Sequence, residues 1–330
     1  MRIFLTGATG YLGQALCRRL AGEHELCALV RPTSEVAPLR ALGVALFEGD
    51  VRERASLRQG MSGADWVVHA AAELDPAAPA ERMREVNVEG SRNVASLAYK
   101  LGVGRLLSIS SVAYFGGSPE DGSPATEESP VRRPFPSPYS ATKHAGQEAI
   151  AAEAARGLRV DTVYPSLVYG PPGKRGGANA LLRAVIRGRF PALIGGDRRT
   201  SWVYLDDVVE GMVRVMQRSP GGGDYLLAGD TTTVRDLVHR ICALAGVAPP
   251  RREISPRAAR WLLRLAAPLW RLRGRRAPIA AGQLENLARH WAFDDTRARR
   301  ELAWEPRALD AGLPPTVAFL QGRDARPEVA

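Results

Sequence analysis

The chain begins MRIFLTGATGYLG: an apolar run, Ile3 to Leu5, and then glycines at positions 7, 10 and 13. Residues 11–22 carry the apolar spacing of an amphipathic helix. Few arrangements need three glycines across a strand-to-helix junction. Gly7 and Gly10 permit a tight turn that brings backbone close to a pyrophosphate, and Gly13 lets the helix pack closely on the strand. The first N–H groups of that helix have no partner within it and are available to an anion. Thr9, Tyr11 and Leu12 complete the turn and join the same candidate site. The spacing is GxxGxxG rather than GxGxxG, and a tight turn with no ligand would use the same residues.

Five further apolar runs follow: LCALVR, VALFEGD, WVVHAAA, RLLSISS and VDTVYPSLVYG. They are continuous rather than alternating, as strands buried on both faces must be. Amphipathic segments at 11–22, 53–62, 82–101 and 139–156 separate most of them. This alternation predicts an α/β fold with a doubly wound parallel sheet. The second half is less regular. Residues 178–189 and 233–246 read as helices, TSWVY as a short strand before a helix, and YLLAG as a seventh strand. A helix over 256–272 is expected to break at Pro268. Gly/Pro-rich loops at 116–138 and 170–177 stand at the ends of strands, where open parallel sheets build their ligand crevice.

The 330 residues, 45% hydrophobic and 24% charged, suffice for one large or two modest globular domains. No apolar run approaches the ~20 residues of a membrane helix, and the N-terminus enters the fold directly, without a leader. Cys17, Cys27 and Cys242 are scattered and lack metal-ligand spacing, so reduced thiols, a cytoplasmic location and no metal are expected. The net charge of +10 does not indicate nucleic acid. Residues 251–276 carry nine arginines and one glutamate, so one segment holds most of the excess.

Strand ends supply the next candidates. The second strand ends at Arg31, followed by Thr33 and Ser34. A carboxylate there would hold a ribose 2′-hydroxyl, whereas an arginine pairs with a 2′-phosphate, so NADP(H) is favoured over NAD(H). A solvated surface arginine is the plain alternative. Asp50 and Val51 end the third strand, where a carboxylate can accept from an adenine amino group. Ala70, Ala71 and Ala72 end the fourth, where small side chains let a cofactor lie against backbone.

The chain has only three lysines, Lys100, Lys143 and Lys174, among 45 basic residues. Lys143 stands four residues after Tyr139, which places the two on one face of a helix. A nearby ammonium is expected to stabilise a phenolate and lower the tyrosine pKa, and its compact charge can also hold ribose hydroxyls. Chance occurrence of YxxxK on a surface helix is the alternative. Ser111 at the end of the fifth strand, with Ser110 second, would hydrogen-bond a substrate carbonyl oxygen. Strand capping explains a Ser-Ser pair equally simply.

TGATGYLG, GDV, HAAA, NVEGSRNV, SISSVAYFG, PYSATK, PSLVYGP, TSWVYLDDV and the tail WAFDDTRARRELAWEPR occur in this order. Together they resemble the extended short-chain dehydrogenase/reductase family, also called the NAD-dependent epimerase/dehydratase family. The resemblance implies a Rossmann-type domain over 1–168, with 200–229 returning to it. A smaller, mostly helical substrate domain would comprise 169–199 and 230–330. It also implies a catalytic group of Ser111, Tyr139 and Lys143. Asn87 matches the position that supports the lysine through water, and Pro165 to Val168 the segment beside the nicotinamide carboxamide. A homodimer through 82–101 and 139–156 is expected on the same ground.

Within the family, ALVRP and the compact 170–205 region look most like dihydroflavonol-reductase-like and 3β-hydroxysteroid-dehydrogenase-like proteins. That branch implies an NADP-dependent oxidoreductase that reduces a ketone or aldehyde, or oxidises the alcohol, of a fairly apolar small molecule. Val112 and Ala113 follow Ser111 where dehydratases of the family carry an acidic pair. Arg198, Arg199 and Asn179 could hold a diphosphate, which keeps a nucleotide-sugar epimerase or dehydratase as the alternative. A non-catalytic NADP-binding protein is the third reading. In 256–272, Arg257, Arg260, Arg264 and Arg271 form one stripe, opposite Ala258, Trp261, Leu262, Leu265, Leu269 and Leu272. A cover over the substrate cleft is the preferred reading of this helix, and a peripheral membrane contact the other.

Overall fold

The computed structural model describes residues 1–173, 177–188, 192–272 and 281–322. Lys174, the arginines after residue 272 and the C-terminal tail from 323 lie outside the described residues. The strands are β1 (Arg2–Thr6), β2 (Glu25–Val30), β3 (Ala45–Glu48), β4 (Trp66–His69), β5 (Arg105–Ile109), β6 (Val160–Pro165), β7 (Leu167–Tyr169), β8 (Leu193–Ile194), β9 (Arg199–Tyr204), β10 (Asp224–Leu227), β11 (Asp230–Thr233) and β12 (Glu253–Ile254). Seven form a parallel sheet in the order β10-β6-β5-β4-β1-β2-β3. Successive strands run outward from β1 on one side and from β4 on the other, so the order reverses between those two strands. That is where an open α/β sheet binds its ligand.

The helices are α1 (Tyr11–Leu20), α2 (Ala37–Ala41), α3 (Arg54–Met61), α4 (Ala80–Arg84), α5 (Gly90–Lys100), α6 (Pro138–Ala154), α7 (Gly177–Ile186), α8 (Leu205–Arg218), α9 (Val234–Ala245), α10 (Pro256–Leu272), α11 (Ala281–Leu287), α12 (Thr296–Leu302) and α13 (Leu309–Leu320), and those packed on the large sheet cover both of its faces. Alternate strand residues serve opposite faces. Ile3, Leu5, Val68 and Leu107 pack with Leu16, Val208, Met212 and Trp304. Phe4, Val67 and Leu106 pack with Leu57, Val94, Leu97 and Ile150 on the other side. Both faces being buried explains the unbroken apolar runs, each such side chain contributing about 1.5–3 kcal/mol.

The structure corrects four expectations. The run 160–170 is two strands in two sheets. At Pro165 the ladder loses a donor, and Ser166 turns the chain by donating from its N–H to Leu227 O (3.2 Å) and from Oγ to Ala228 O (2.6 Å). β7 then joins β9 and β11 in a small sheet, so β9 leaves the large sheet while α8 and β10 stay with it. Segment 82–101 is not one regular helix, because a π-turn at Glu85–Glu89 links α4 to α5 and the Gly90 N–H reaches back to Glu85 O. The backbone of α10 passes through Pro268 without ending.

The fourth correction concerns the cover. α10 packs inward through buried Ala259, and Trp261, Leu262 and Leu265 are 65%, 55% and 62% exposed, so among the described residues this part of its apolar stripe faces solvent. Among the described residues no helix is long and apolar enough to cross a membrane.

The π-turn places the Asn87 carbonyl against α6, where a Cβ on Gly146 would collide with it. Gly146→Ala is therefore expected to destabilise the fold by about 1–3 kcal/mol in urea unfolding, despite alanine's higher helix propensity. Equal or greater stability would show that the two elements do not meet this closely.

Candidate functional site

Gly7 has φ +73°, and a Cβ there would lie 2.6 Å from Ala70 C and Ala71 N. Only glycine lets the turn after β1 touch the turn after β4. A Cβ on Gly13 would in turn run into the Gly7 carbonyl. Gly10 caps α1 without a side-chain acceptor, which leaves the helix start available to an anion.

From this turn a cavity of about 490 Å³ extends along the carboxyl edge of the sheet. Gly7, Thr9, Gly10, Tyr11, Leu12 and Gly13 line one end, and Arg31, Asp50, Val51 and Ala70 to Ala72 border it. Ser111, Tyr139, Lys143, Pro165 and Val168 line it as well. Asn87 stands behind the wall, and Val86 lines the cavity in its place.

Burial dominates the electrostatics of the reactive groups. It pushes the Tyr139 phenol up to about 12, and the Ser111 hydroxyl brings it back only in part. It lowers Lys143 to about 8, with the ammonium donating to Ile109 O at 3.0 Å. The expected depression of the tyrosine by the lysine is thus absent here: burial sets the shift and only Ser111 opposes it. Ser111 Oγ accepts from Ala113 N at 3.2 Å, which leaves its own proton to donate. At the other end, burial opposes ionisation of Asp50, but hydrogen bonds from Arg52 and the charge of Arg31 hold it below its ordinary value. Arg31 itself is exposed at the rim.

Sequence reasoning missed the layer beneath. His69 is buried, and burial followed by the charge of Lys143 lowers it to about 3, so it is neutral. Its Nδ1 lies 2.8 Å from Thr6 Oγ1 and its Nε2 3.0 Å from Ser91 Oγ. Ser91 Oγ donates to Asn87 O (2.7 Å) and must accept from Nε2–H. Nδ1 then accepts from Thr6, whose oxygen accepts from Ala71 N at 3.4 Å. One tautomer thus ties the β1 turn, the β4 end and the π-turn together. A lone histidine in HAAA carries no sign of this.

Asn87 and Tyr11 also act structurally. Asn87 Oδ1 accepts from Glu73 N (2.7 Å), and its Nδ2 donates to Glu73 O and Thr142 Oγ1, each at 3.1 Å. Tyr11 donates to Gly170 O at 2.5 Å and accepts from Asn179 Nδ2 at 3.2 Å. Asn179 also exchanges hydrogen bonds with Gly170 N and O. Arg198 engages His290 and Asp197, and Arg199 the Gly122 carbonyl. The suggested diphosphate trio is therefore not assembled: buried Asn179 is committed to the β7–α7 junction.

Residues 3–239 match the model of the NAD dependent epimerase/dehydratase family. The chain belongs to this family. It is an NAD(P)-dependent oxidoreductase of the extended short-chain dehydrogenase/reductase type. Among curated family relatives it is 31% identical to "Sterol demethylase protein B" of Methylococcus capsulatus, over 98% of this chain and 99% of that protein. It is 30% identical to the 4-hydroxy-2-methyl-3-oxo-4-farnesyl-3,4-dihydroquinoline-1-oxide ketoreductase of Stigmatella aurantiaca, over 98% and 95%. The solved structure of DesIV, a dTDP-glucose 4,6-dehydratase from Streptomyces venezuelae with NAD and TYD bound, matches with TM-score 0.78 and 25% identity. That match covers 98% of this chain and 97% of that one. The family's nicotinamide dinucleotide fits the residues here. The cradle admits no side chain at Gly7 or Gly13, and the buried Ser110 hydroxyl lines the cavity without a hydrogen-bond partner among the described residues.

The Asn87 bonds yield a prediction. Asn87→Ala would strand the Glu73 N–H and is expected to cost about 2 kcal/mol in cofactor-free thermal or urea unfolding. Unchanged stability with lost turnover would instead assign Asn87 to the lysine.

Proposed function

We propose that this enzyme is an NADP(H)-dependent reductase of ketones or aldehydes on fairly apolar small molecules, running reversibly as an alcohol dehydrogenase. The observation that carries this reading is the convergence of Ser111, Tyr139 and Lys143 on one cavity with the glycine turn. The glycine turn and the start of α1 would hold the pyrophosphate, and Ala70 to Ala72 the dinucleotide along the sheet edge. Asp50 and Val51 would border the adenine, and Pro165 and Val168 the nicotinamide. When bound, the nicotinamide supplies hydride to the carbonyl carbon.

The chain's own residues do the rest. Ser111, its lone pair engaged by Ala113 N–H, donates a hydrogen bond to the carbonyl oxygen and fixes it. Tyr139, held protonated by burial, transfers its phenolic proton to that oxygen as negative charge develops. Lys143, near 8, can return a proton to the phenolate at neutral pH, and as a cation it stabilises the phenolate meanwhile. Arg31 at the rim supports a 2′-phosphate. The names of the relatives, a ketoreductase of a farnesylated quinoline and a sterol demethylase protein, support an apolar substrate. A nucleotide-sugar reaction has weaker support, since Asn179, Arg198 and Arg199 are engaged elsewhere.

Purified enzyme should oxidise NADPH with apolar cyclic or long-chain ketones. Tyr139→Phe should lower kcat by about 100-fold or more while NADPH titration, followed by nicotinamide fluorescence, stays unchanged. Retained turnover would remove the tyrosine from the mechanism. Arg31→Asp should shift the NADPH-to-NADH preference by roughly tenfold or more toward NADH, the worth of one charge-assisted hydrogen bond. An unaltered ratio would remove the basis for NADP(H), and protein that arrives with tightly held NAD and epimerises nucleotide sugars would overturn the reductase reading.

A further inference from the structure

The outward face of α10 has no role in the reaction above. Trp261, Leu262 and Leu265 stand at helical spacing and form one patch, 65%, 55% and 62% exposed. Single exposed apolar residues are ordinary, but a tryptophan and two leucines on adjoining turns are not. The helix is held in this orientation from within. Ala259 is buried, and Arg260 Nε and Nη2 fork onto Glu285 of α11 at 3.0 Å each. Turning the stripe onto the cleft would break that fork and expose Ala259.

The charge around the patch is one-sided. Arg257, one turn before Trp261, is exposed, as are Arg251 and Arg252 just ahead of the helix. The carboxylates on the adjoining elements, Glu253 and Glu285, are already paired with Arg235 and Arg260. Over 251–276 nine arginines face one glutamate in the sequence. An apolar patch with an indole, bordered by guanidinium groups that are unpaired among the described residues, is complementary to the boundary between anionic headgroups and acyl chains. A second copy of the chain fits poorly. A two-fold contact would bring the same arginines together, and three side chains are too few for an interface of about 1,200 Å² or more.

We propose that the N-terminal half of α10 docks this enzyme on the surface of an anionic lipid bilayer, with Trp261, Leu262 and Leu265 entering the headgroup boundary and the arginines at the phosphates. The contact is peripheral, and it is independent of the catalytic reading.

Co-sedimentation of the full-length enzyme with phosphatidylglycerol vesicles tests this, with phosphatidylcholine vesicles as the neutral reference. The enzyme should bind the anionic vesicles, bind less as salt rises, and leave the neutral ones largely unbound. A Trp261→Glu, Leu265→Glu double variant should lose vesicle affinity by about tenfold or more, with NADPH affinity unchanged. Brominated phosphatidylglycerol should quench part of the tryptophan emission in the wild type but not in Trp261→Phe, a variant that leaves charge and fold intact. Absence of binding to anionic vesicles, or equal binding by the double variant, would overturn the proposal. So would a double variant that only splits a dimer in sedimentation velocity, or only weakens cofactor or substrate binding. Those two results would assign the face to a second copy or to a closing cover.

Discussion

The contact between the backbone of Gly7 and that of Ala70 and Ala71 governs the arrangement of this protein. β1 and β4 lie side by side, yet the chain leaves them toward opposite halves of the sheet. The two turns must therefore share a narrow space, and a Cβ at Gly7 would close it. With no side chain there, a crevice opens along the strand ends, and the first turn of α1 points into it. His69 reinforces the same junction from below. Its single allowed tautomer joins the Thr6 hydroxyl to Ser91 and hence to the π-turn, so the floor of the cavity is one hydrogen-bonded unit. Burial keeps that histidine neutral, which the arrangement requires, since a second ring proton would face the Thr6 hydroxyl and break the donor order.

What the sequence made legible follows from periodicity and local chemistry. Strands buried on both faces leave continuous apolar runs, so the large sheet was readable up to its edge strand β10. The glycine turn and the Tyr139–Lys143 step are local patterns, and the residues named from them line one cavity. Long-range partners are a different matter. Nothing near Ser166 announces that its hydroxyl will find Ala228 and end a strand. The π-turn at 85–89 has ordinary helical composition, and its fit is tertiary: Gly146 on α6 leaves room for the Asn87 carbonyl. Asn179 looked free to bind phosphate because its partners, Gly170 and Tyr11, are brought to it by the fold.

Amphipathic helices expose a second limit of the same kind. The stripe of α10 was correctly legible as a stripe, but sequence does not say which neighbour it meets. The Arg260–Glu285 fork decides that, and it turns the apolar side out. The fork also ties α10 to the segment after α11, where Arg289 donates to Gly116 O at 2.5 Å and Pro134 O at 2.6 Å. That segment therefore holds the loop that follows Ser111. The outward face of α10 and the loop that follows Ser111 are thus connected through two arginines.

The electrostatics of the site point one way. An ammonium close to a phenol is commonly expected to lower its pKa, yet here both groups lose solvation and each retreats toward its neutral form. Tyr139 is then a proton donor at any physiological pH, and Lys143, near 8, is divided between cation and amine just above neutrality. On the proposed reductase reading this is the useful state, because there the tyrosine gives a proton and the lysine returns one. Oxidation needs the phenolate first, and burial opposes its formation. The buried arrangement thus resists the unproductive loss of the tyrosine proton. On the proposed reductase reading, Lys143, near 8, would reset the acid after each turnover.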